Sequence, residues 1–273
     1  NGQWVSPIDS RNYKVIDPSN EEPCAEISLG GKKDVDKAVS AAKKAFETWA
    51  FTKKEERLEL LEKLYVIYKK RWAEMAKLIS LEMGAPIKFS TEMQAATGAG
   101  HIKSFKQILK DFKFEKDLGE EKNNQKLLYE PKGVCALITP WNWPINQVNL
   151  KVIPALASAC TVVLKPSEIA PLSSMLLAEM IDEAKFPSGV FNLINGDGAI
   201  TGNALTSHPD INMISFTGST RAGALISQNA AKDFKRISLE LGGKGANIIF
   251  KDADPEAVAR GVLRCFRNSG QSC

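Results

Sequence analysis

The stretch VCALITPWNWP (residues 134–144) joins a short apolar strand to a stiff turn, and this arrangement recurs through the second half of the chain. The further strand-like runs are TVVLK (161–165), FNLI (191–194), NMISF (212–216), RISLE (236–240) and ANIIF (246–250). Unbroken apolar strands that alternate with helical segments are typical of a parallel sheet covered on both faces. The sequence therefore predicts an α/β fold, in which ligands bind at the carboxyl ends of the strands.

The first third of the chain is predicted to be mostly helical. Apolar residues recur at helical spacing over residues 35–50, 55–83 and 91–109. Asp34 is placed to cap the first of these helices, and Gly84 and Pro86 are placed to end the second. The charged stretch 113–132 is poorly periodic and holds one possible strand, KLLYE (126–130).

Composition excludes several classes of partner. The net charge is +4, from 36 basic and 32 acidic residues, which is too mild to indicate nucleic acid. No apolar run approaches the roughly 20 residues that a membrane span needs. Five cysteines without a CxxC pair indicate reduced thiols in a cytoplasmic protein, and two histidines, His101 and His208, argue against a metal site.

The turn TPWNWP (139–144) and the loop KPSE (165–168) follow two predicted strands. Asn142 either serves a hydrophobic corner or is an amide donor held rigidly at an active site. Lys165 and Glu168 either lie in a solvated loop or hydrogen-bond the hydroxyls of a ribose, where an acidic side chain disfavours a 2′-phosphate. Taken alone, KPSE favours the solvated loop.

Glycine turns follow two more strands, in NGDGAITG (195–202) and TGSTRAG (217–223). Neither matches GxGxxG or a phosphate-binding loop of the GxxxxGK type, although glycine after a strand lets a backbone approach a phosphate. In LELGGK (239–244), Glu240 ends an apolar strand and is either exposed at a sheet edge or buried for a purpose.

In combination, TPWNWP, KPSE, FTGS, LELGGK and the final FRNSGQSC (266–273) resemble the aldehyde dehydrogenase superfamily over the whole chain. The resemblance implies a Rossmann-like parallel sheet of an unusual variety, which explains the missing GxGxxG. It also implies a cofactor-binding domain over residues 1–109 and 132–243, part of an oligomerisation arm over 110–131, and the start of a catalytic domain over 244–273. Family members are much longer, so we expect this chain to be an excerpt of a homodimer or homotetramer whose catalytic domain is mostly missing here.

The resemblance assigns catalytic roles to four residues. Cys273 matches the nucleophile, whose thiolate attacks the aldehyde and later carries the thioester. Asn142 matches the side-chain donor to the oxyanion, and Glu240 matches the general base that activates water. Lys151 matches a lysine credited with a proton-relay or electrostatic role; alternatively, it caps a helix surface.

The resemblance also assigns the cofactor site, with NAD expected and NADP left open. Lys165 and Glu168 match the pair around the adenosine ribose, and Gly218 and Ser219 match the turn at the pyrophosphate. The remaining cofactor residues implied by the family are Thr139, Trp141, Ser167, Gly198, Phe216, Leu241 and Gly242. No metal is expected.

Residues near Asn142 predict the substrate class. Trp143, Asn146, Gln147 and Leu150 are more polar than a fatty-aldehyde tunnel, so we expect a small or polar aldehyde, such as an amino-aldehyde, semialdehyde or hydroxyaldehyde. Two other functions stay open at this point. One is a binding protein that keeps the cofactor fold without activity, and the other is a coenzyme-A-dependent acyl reductase.

Overall fold

The chain begins with an antiparallel hairpin of β1 (Arg11–Asp17) and β2 (Glu22–Leu29), which the helical prediction for the first third missed. The computed structural model describes residues 2–119, 125–263 and 268. The register shifts between Val15 and Ile16, so the strict alternation that marks a strand in a sequence is broken there. Only Val15, Ile27 and Leu29 of the hairpin are buried, which leaves it little apolar signal.

Helices follow the hairpin. They are α1 (Lys32–Trp49), α2 (Lys54–Lys70), α3 (Trp72–Met83), the single turn α4 (Ile87–Phe89), a π-helical turn (Ser90–Gln94) and α5 (Ala95–Asp111). The single helix predicted over residues 55–83 is wrong, because the chain breaks at Arg71 (φ −96°, ψ 16°) without a glycine or proline to mark the break. No helix among the described residues is long and apolar enough to cross a membrane.

The predicted N-cap of α1 is also wrong. Gly31 is the capping residue, and Asp34 lies at the third helical position, where its carboxylate accepts the Gly31 N–H at 2.9 Å. The helix therefore starts three residues earlier than its apolar spacing indicates, since its first turn is polar.

A two-stranded ribbon of β3 (Glu115–Asp117) and β4 (Lys126–Leu128) follows α5. The second strand confirms the strand predicted at KLLYE. All six residues are exposed. The ribbon falls within residues 110–131, whose role as an oligomerisation arm stays a prediction.

The expected parallel sheet is confirmed, with strand order β7-β6-β5-β8-β9. Its strands are β5 (Val134–Ile138), β6 (Thr161–Lys165), β7 (Phe191–Leu193), β8 (Met213–Thr217) and β9 (Arg236–Glu240). The helical segments after β5 are α6 (Pro144–Ala157), α7 (Leu172–Glu183), a π-helical turn (Gly198–Gly202), α8 (Asn203–Ser207), α9 (Thr220–Ala231) and α10 (Pro255–Leu263).

Two apolar layers sandwich the sheet. Val162 and Leu164 of β6 join the core built with α2, α3, α5, α6 and α7, whereas Val163 joins the core built with α1, α8 and α9. This alternation follows from the two-residue period of a strand. It explains why β5 and the centre of β6 (162–164), which are buried on both faces, are apolar.

The strand predicted at ANIIF is wrong. Residues 241–250 have no regular secondary structure, and Ile248 and Phe250 are 74% and 73% exposed. An apolar run forms a strand only where a neighbouring strand supplies hydrogen bonds. Here β9 is the edge of the described sheet.

Candidate active site

The candidate site is assembled at the carboxyl ends of the parallel strands. Thr139 directly follows β5 and donates its backbone N–H to the carbonyl oxygen of Lys165, the last residue of β6, at 3.3 Å. The Thr139 hydroxyl is buried and has no partner among the described residues. Buried polar groups are normally paired, so the unpaired hydroxyl at this strand end calls for a specific explanation.

Lys165 and Glu168 lie together, and Lys165 is not in a solvated loop. The Lys165 side chain is almost completely buried, and its Nζ donates to Pro166 O at 2.9 Å and to Glu168 Oε2 at 3.3 Å. Burial lowers the pKa of Lys165, while the carboxylates of Glu168 and Asp197 act in the opposite direction. The two side chains thus form a fixed acid–base pair at the strand end, next to Ser167, which is half-buried.

Two glycines of NGDG have different surroundings. A Cβ on Gly196 would lie 2.1 Å from Thr201 Oγ1, so the fold itself needs this glycine. A Cβ on Gly198 would meet nothing within 4 Å among the described residues. Open space therefore lies beside Gly198, at the residue that the family resemblance puts on the adenine side.

Arg11 and Asp197 order this turn, and the sequence analysis missed both. Asp197 accepts the Ile200 N–H at 2.6 Å and pairs with Arg11 Nη1 at 2.6 Å. Burial would raise the pKa of Asp197, but the Ile200 N–H and the Arg11 guanidinium together hold it below its ordinary value. An aspartate before a helical segment is a recognisable capping signal, whereas nothing in the sequence connects Arg11 to this turn.

The turn after β8 is shaped for an anion. Ser219 Oγ accepts the Ala222 N–H at 3.2 Å and caps α9, whose N-terminus favours negative charge. A Cβ on Gly218 would lie 2.4 Å from the Phe216 ring, and a Cβ on Gly223 would lie 2.5 Å from Leu241. Phe216 and Leu241 thus pack onto glycines on either side of the helix start, and a Cβ on Gly242 would make an ordinary contact with Thr220 Oγ1 at 3.9 Å.

Lys151 is buried, so it does not cap a helix surface. Its Nζ donates to Ser215 Oγ at 3.0 Å. Burial lowers the pKa of Lys151, and the negative charge of Glu240 acts to raise it, so the two groups interact. Glu240 ends β9 and is itself exposed among the described residues, which matches the edge alternative that the sequence left open.

The turn that carries Asn142 is anchored on both sides. Trp143 Nε1 donates to Thr97 Oγ1 at 3.2 Å and its ring meets Phe89 edge-on at 5.7 Å, while Trp141 packs on the main core. The carbonyl oxygen of Asn142 accepts a hydrogen bond from Asn268 Nδ2 at 2.7 Å. Cys273 lies outside the described residues.

These features fit a dinucleotide. The open space at Gly198 follows β7, the buried Thr139 hydroxyl follows β5, and the capped N-terminus of α9 follows β8, so the three lie along the carboxyl edge of the sheet in the order of its strands. Together they offer polar partners, room for an adenine and an anion site. The fold and this site define a class of protein that binds a ligand across the carboxyl end of a parallel sheet.

Comparison with known proteins identifies the family within that class. The sequence model of the aldehyde dehydrogenase family matches residues 4–273, and the chain belongs to this family. It is 52% identical over its whole length to a 3-succinoylsemialdehyde-pyridine dehydrogenase of a Pseudomonas species, of which it covers 57%.

Solved structures agree with this assignment. An aldehyde dehydrogenase from Bartonella henselae has 61% identity and a TM-score of 0.97, over 100% of this chain and 57% of that chain. An aldehyde dehydrogenase C mutant from Pseudomonas syringae, solved with NAD+ and octanal, has 46% identity and a TM-score of 0.96, over 99% of this chain and 55% of that one. The chain thus spans about 57% of the length of the curated relatives that it matches.

Proposed function

We propose that the protein containing this chain is an NAD-dependent aldehyde dehydrogenase that oxidises an aldehyde to a carboxylic acid. The observation that carries the proposal is the electrostatic interaction of buried Lys151 with Glu240, the last residue of β9, in a member of this family whose Asn142 turn also follows the carboxyl end of a strand of the sheet. Each is a residue type that covalent catalysis on a carbonyl group uses.

Cys273 is the proposed nucleophile. Its thiolate forms a bond to the aldehyde carbon, and the oxyanion of this thiohemiacetal accepts hydrogen bonds from the Asn142 side-chain amide and the Cys273 backbone N–H. NAD+, when bound, supplies the hydride acceptor that the oxidation requires. Glu240 takes a proton from water, the water oxygen attacks the thioester carbon, and the acid leaves as the thiol is restored.

The cofactor site follows the same edge. Lys165, Ser167 and Glu168 hold the adenosine ribose, Gly198 borders the adenine, and Gly218 with Ser219 binds the pyrophosphate at the start of α9. The other cofactor contacts are proposed for Thr139, Trp141, Phe216, Leu241 and Gly242. Relatives solved with NAD+ support NAD, and the carboxylate of Glu168 disfavours the extra phosphate of NADP.

A polar aldehyde is the proposed substrate. One turn beyond Asn142, Asn146 Oδ1 lies 2.8 Å from His101 Nε2, which gives this side of the site a polar pair. A relative with 52% identity is named 3-succinoylsemialdehyde-pyridine dehydrogenase. We infer a semialdehyde or a comparable small polar aldehyde; turnover of propanal, betaine aldehyde and decanal compares the classes, and a strong preference for decanal would exclude this inference.

The wider organisation belongs to the same proposal. Residues 1–109 and 132–243 form the cofactor-binding domain, residues 110–131 form part of an arm that joins subunits in a dimer or tetramer, and residues 244–273 begin the catalytic domain. Cys24, Cys135 and Cys160 are free thiols, which suits a reducing cytoplasm.

Two substitutions in the full-length protein test the mechanism. Cys273→Ala is expected to abolish NADH formation from every aldehyde. Glu240→Gln is expected to retain a first burst of NADH while slowing turnover by about 10²- to 10⁴-fold, because thioester hydrolysis loses its base. Steady activity in Cys273→Ala would exclude the covalent route, and coenzyme-A-dependent turnover that ignores Glu240 would favour an acyl reductase.

A further inference from the structure

Gln94 is a buried polar residue that the proposed mechanism does not use. It ends the π-helical turn Ser90–Gln94 and has no exposed surface. Its Nε2 donates to Asn268 Oδ1 at 2.5 Å and lies 3.2 Å from Met83 Sδ, while its Oε1 has no partner among the described residues. A buried amide that keeps an unpaired oxygen costs stability, so its other hydrogen bond calls for an explanation.

Asn268 links Gln94 to the candidate active site. Its side chain is almost completely buried, and its Nδ2 donates to the carbonyl oxygen of Asn142 at 2.7 Å. The three residues form a chain of hydrogen bonds in which Gln94 contacts Asn268 and Asn268 contacts Asn142.

The direction of these bonds gives Gln94 a specific task. An asparagine side chain has one accepting and one donating end, and either end could face a neighbour. The Asn142 carbonyl oxygen can only accept, so Asn268 turns its Nδ2 towards it, and Gln94 supplies from Nε2 the N–H that Asn268 Oδ1 then needs. An ionised carboxylate at position 94 would repel Asn268 Oδ1, and an apolar side chain would leave it without this donor.

Asn268 also lies five positions before Cys273 in the chain. It therefore ties the turn that carries the proposed oxyanion donor, Asn142, to the segment that carries the proposed nucleophile. The relative position of these two groups decides whether the oxyanion meets both of its donors.

We propose that Gln94 is a positioning residue that acts through Asn268 to hold the Asn142 turn and the Cys273 segment in register. This inference rests on the proposed function. π-Helical turns inside helices recur at functional sites, and this one brings Gln94 to Asn268. Gln94 is not proposed to touch substrate or cofactor, and its effect is on the relative position of the Asn142 turn and the Cys273 segment.

The test uses Gln94→Met, Asn268→Ala and the double variant in the full-length protein. Methionine keeps the length and burial of the side chain and removes the N–H. We expect Gln94→Met to lower kcat by about 10- to 100-fold, with KM for NAD+ within about twofold of wild type. Because Gln94 acts through Asn268, the double variant is expected to have the kcat of Asn268→Ala alone.

Ser90→Ala is the matched control. Ser90 is buried in the same π-helical turn, but its hydroxyl donates to Ala85 O at 3.3 Å and not to Asn268. The kcat of Ser90→Ala is expected to stay within about twofold of wild type. A Ser90→Ala loss equal to that of Gln94→Met, an unchanged kcat in Gln94→Met, or losses that multiply in the double variant would each overturn the proposal.

A second measurement separates this inference from the proposed function. The alkylation rate of Cys273 by iodoacetamide, followed by mass spectrometry of the Cys273 peptide, needs no aldehyde. We expect Gln94→Met and Asn268→Ala to change this rate by the same factor, again without multiplication. A wild-type protein that oxidises no aldehyde would refute the proposed function alone, whereas an alkylation rate that ignores Gln94 would refute the positioning role.

Discussion

Lys151 of α6 donates a hydrogen bond from Nζ to Ser215 Oγ of β8 at 3.0 Å. The ammonium group is buried, and the negative charge of Glu240 at the end of β9 acts on it. A buried charge is costly in stability when its hydrogen-bond partner among the described residues is a neutral hydroxyl. Its retention in this position suits a role in the chemistry.

Lys151→Met is therefore expected to raise stability and lower activity. Removing the desolvated ammonium should increase the free energy of unfolding by about 1 kcal/mol or more, while kcat falls because the site loses its positive charge. Thermal unfolding and steady-state kinetics of the full-length protein measure both. The control is Lys63→Met on α2, an exposed lysine, which should change neither. A Lys151→Met variant that is fully active would remove this lysine from the mechanism.

Glu82 predicts a pH dependence of stability. It is buried on α3 and accepts hydrogen bonds from the Leu172 and Ser173 N–H groups at the start of α7. Burial raises its pKa to about 7, although these hydrogen bonds oppose the shift. The folded state thus holds a proton that the unfolded state has lost between the ordinary pKa of 4.5 and about 7, so stability falls as pH rises through this window.

Glu82→Gln removes this titration. The difference in unfolding free energy between wild type and Glu82→Gln should change by about 3 kcal/mol between pH 4 and pH 8, because the wild type becomes less stable relative to the variant as pH rises. Urea titrations at several pH values measure it, and taking the difference cancels the other groups. Parallel curves for the two proteins would contradict the assignment.

The central sheet and most strand-end residues were predictable, because β5 and β6 are buried on both faces and their apolar runs are unbroken. The hairpin β1–β2 was not, since its bulge breaks alternation and its surface is polar. The break at Arg71 was hidden by apolar spacing that continues across it. Contacts between residues far apart in the chain leave no local pattern in the sequence. The ion pair of Arg11 with Asp197 and the hydrogen bond of Gln94 with Asn268 could therefore be found only in the structure.

Two neighbouring glycines offer a matched pair of substitutions. Gly196→Ala should destabilise the protein by about 1–3 kcal/mol, since its Cβ would lie 2.1 Å from Thr201 Oγ1. Gly198→Ala should leave stability unchanged, because no described atom lies within 4 Å of its Cβ. If this space takes the adenine, Gly198→Ala weakens NAD+ binding. Thermal unfolding and NAD+ titration separate the two effects, and equal unfolding midpoints for both variants would contradict the packing argument.

Cofactor preference is expected to depend on Glu168. Its Oε2 lies 3.3 Å from Lys165 Nζ, and a carboxylate at the ribose repels a 2′-phosphate. Glu168→Gln keeps the size of the side chain and removes that repulsion, and the buried Lys165 keeps the negative charge of Asp197. The ratio of kcat/KM for NADP to that for NAD should rise by about 10-fold or more, roughly 1.4 kcal/mol of discrimination.

The control is Glu183→Gln, which replaces an exposed carboxylate at the end of α7 and should leave the ratio unchanged. An unchanged ratio in Glu168→Gln would mean that another part of the protein selects the cofactor.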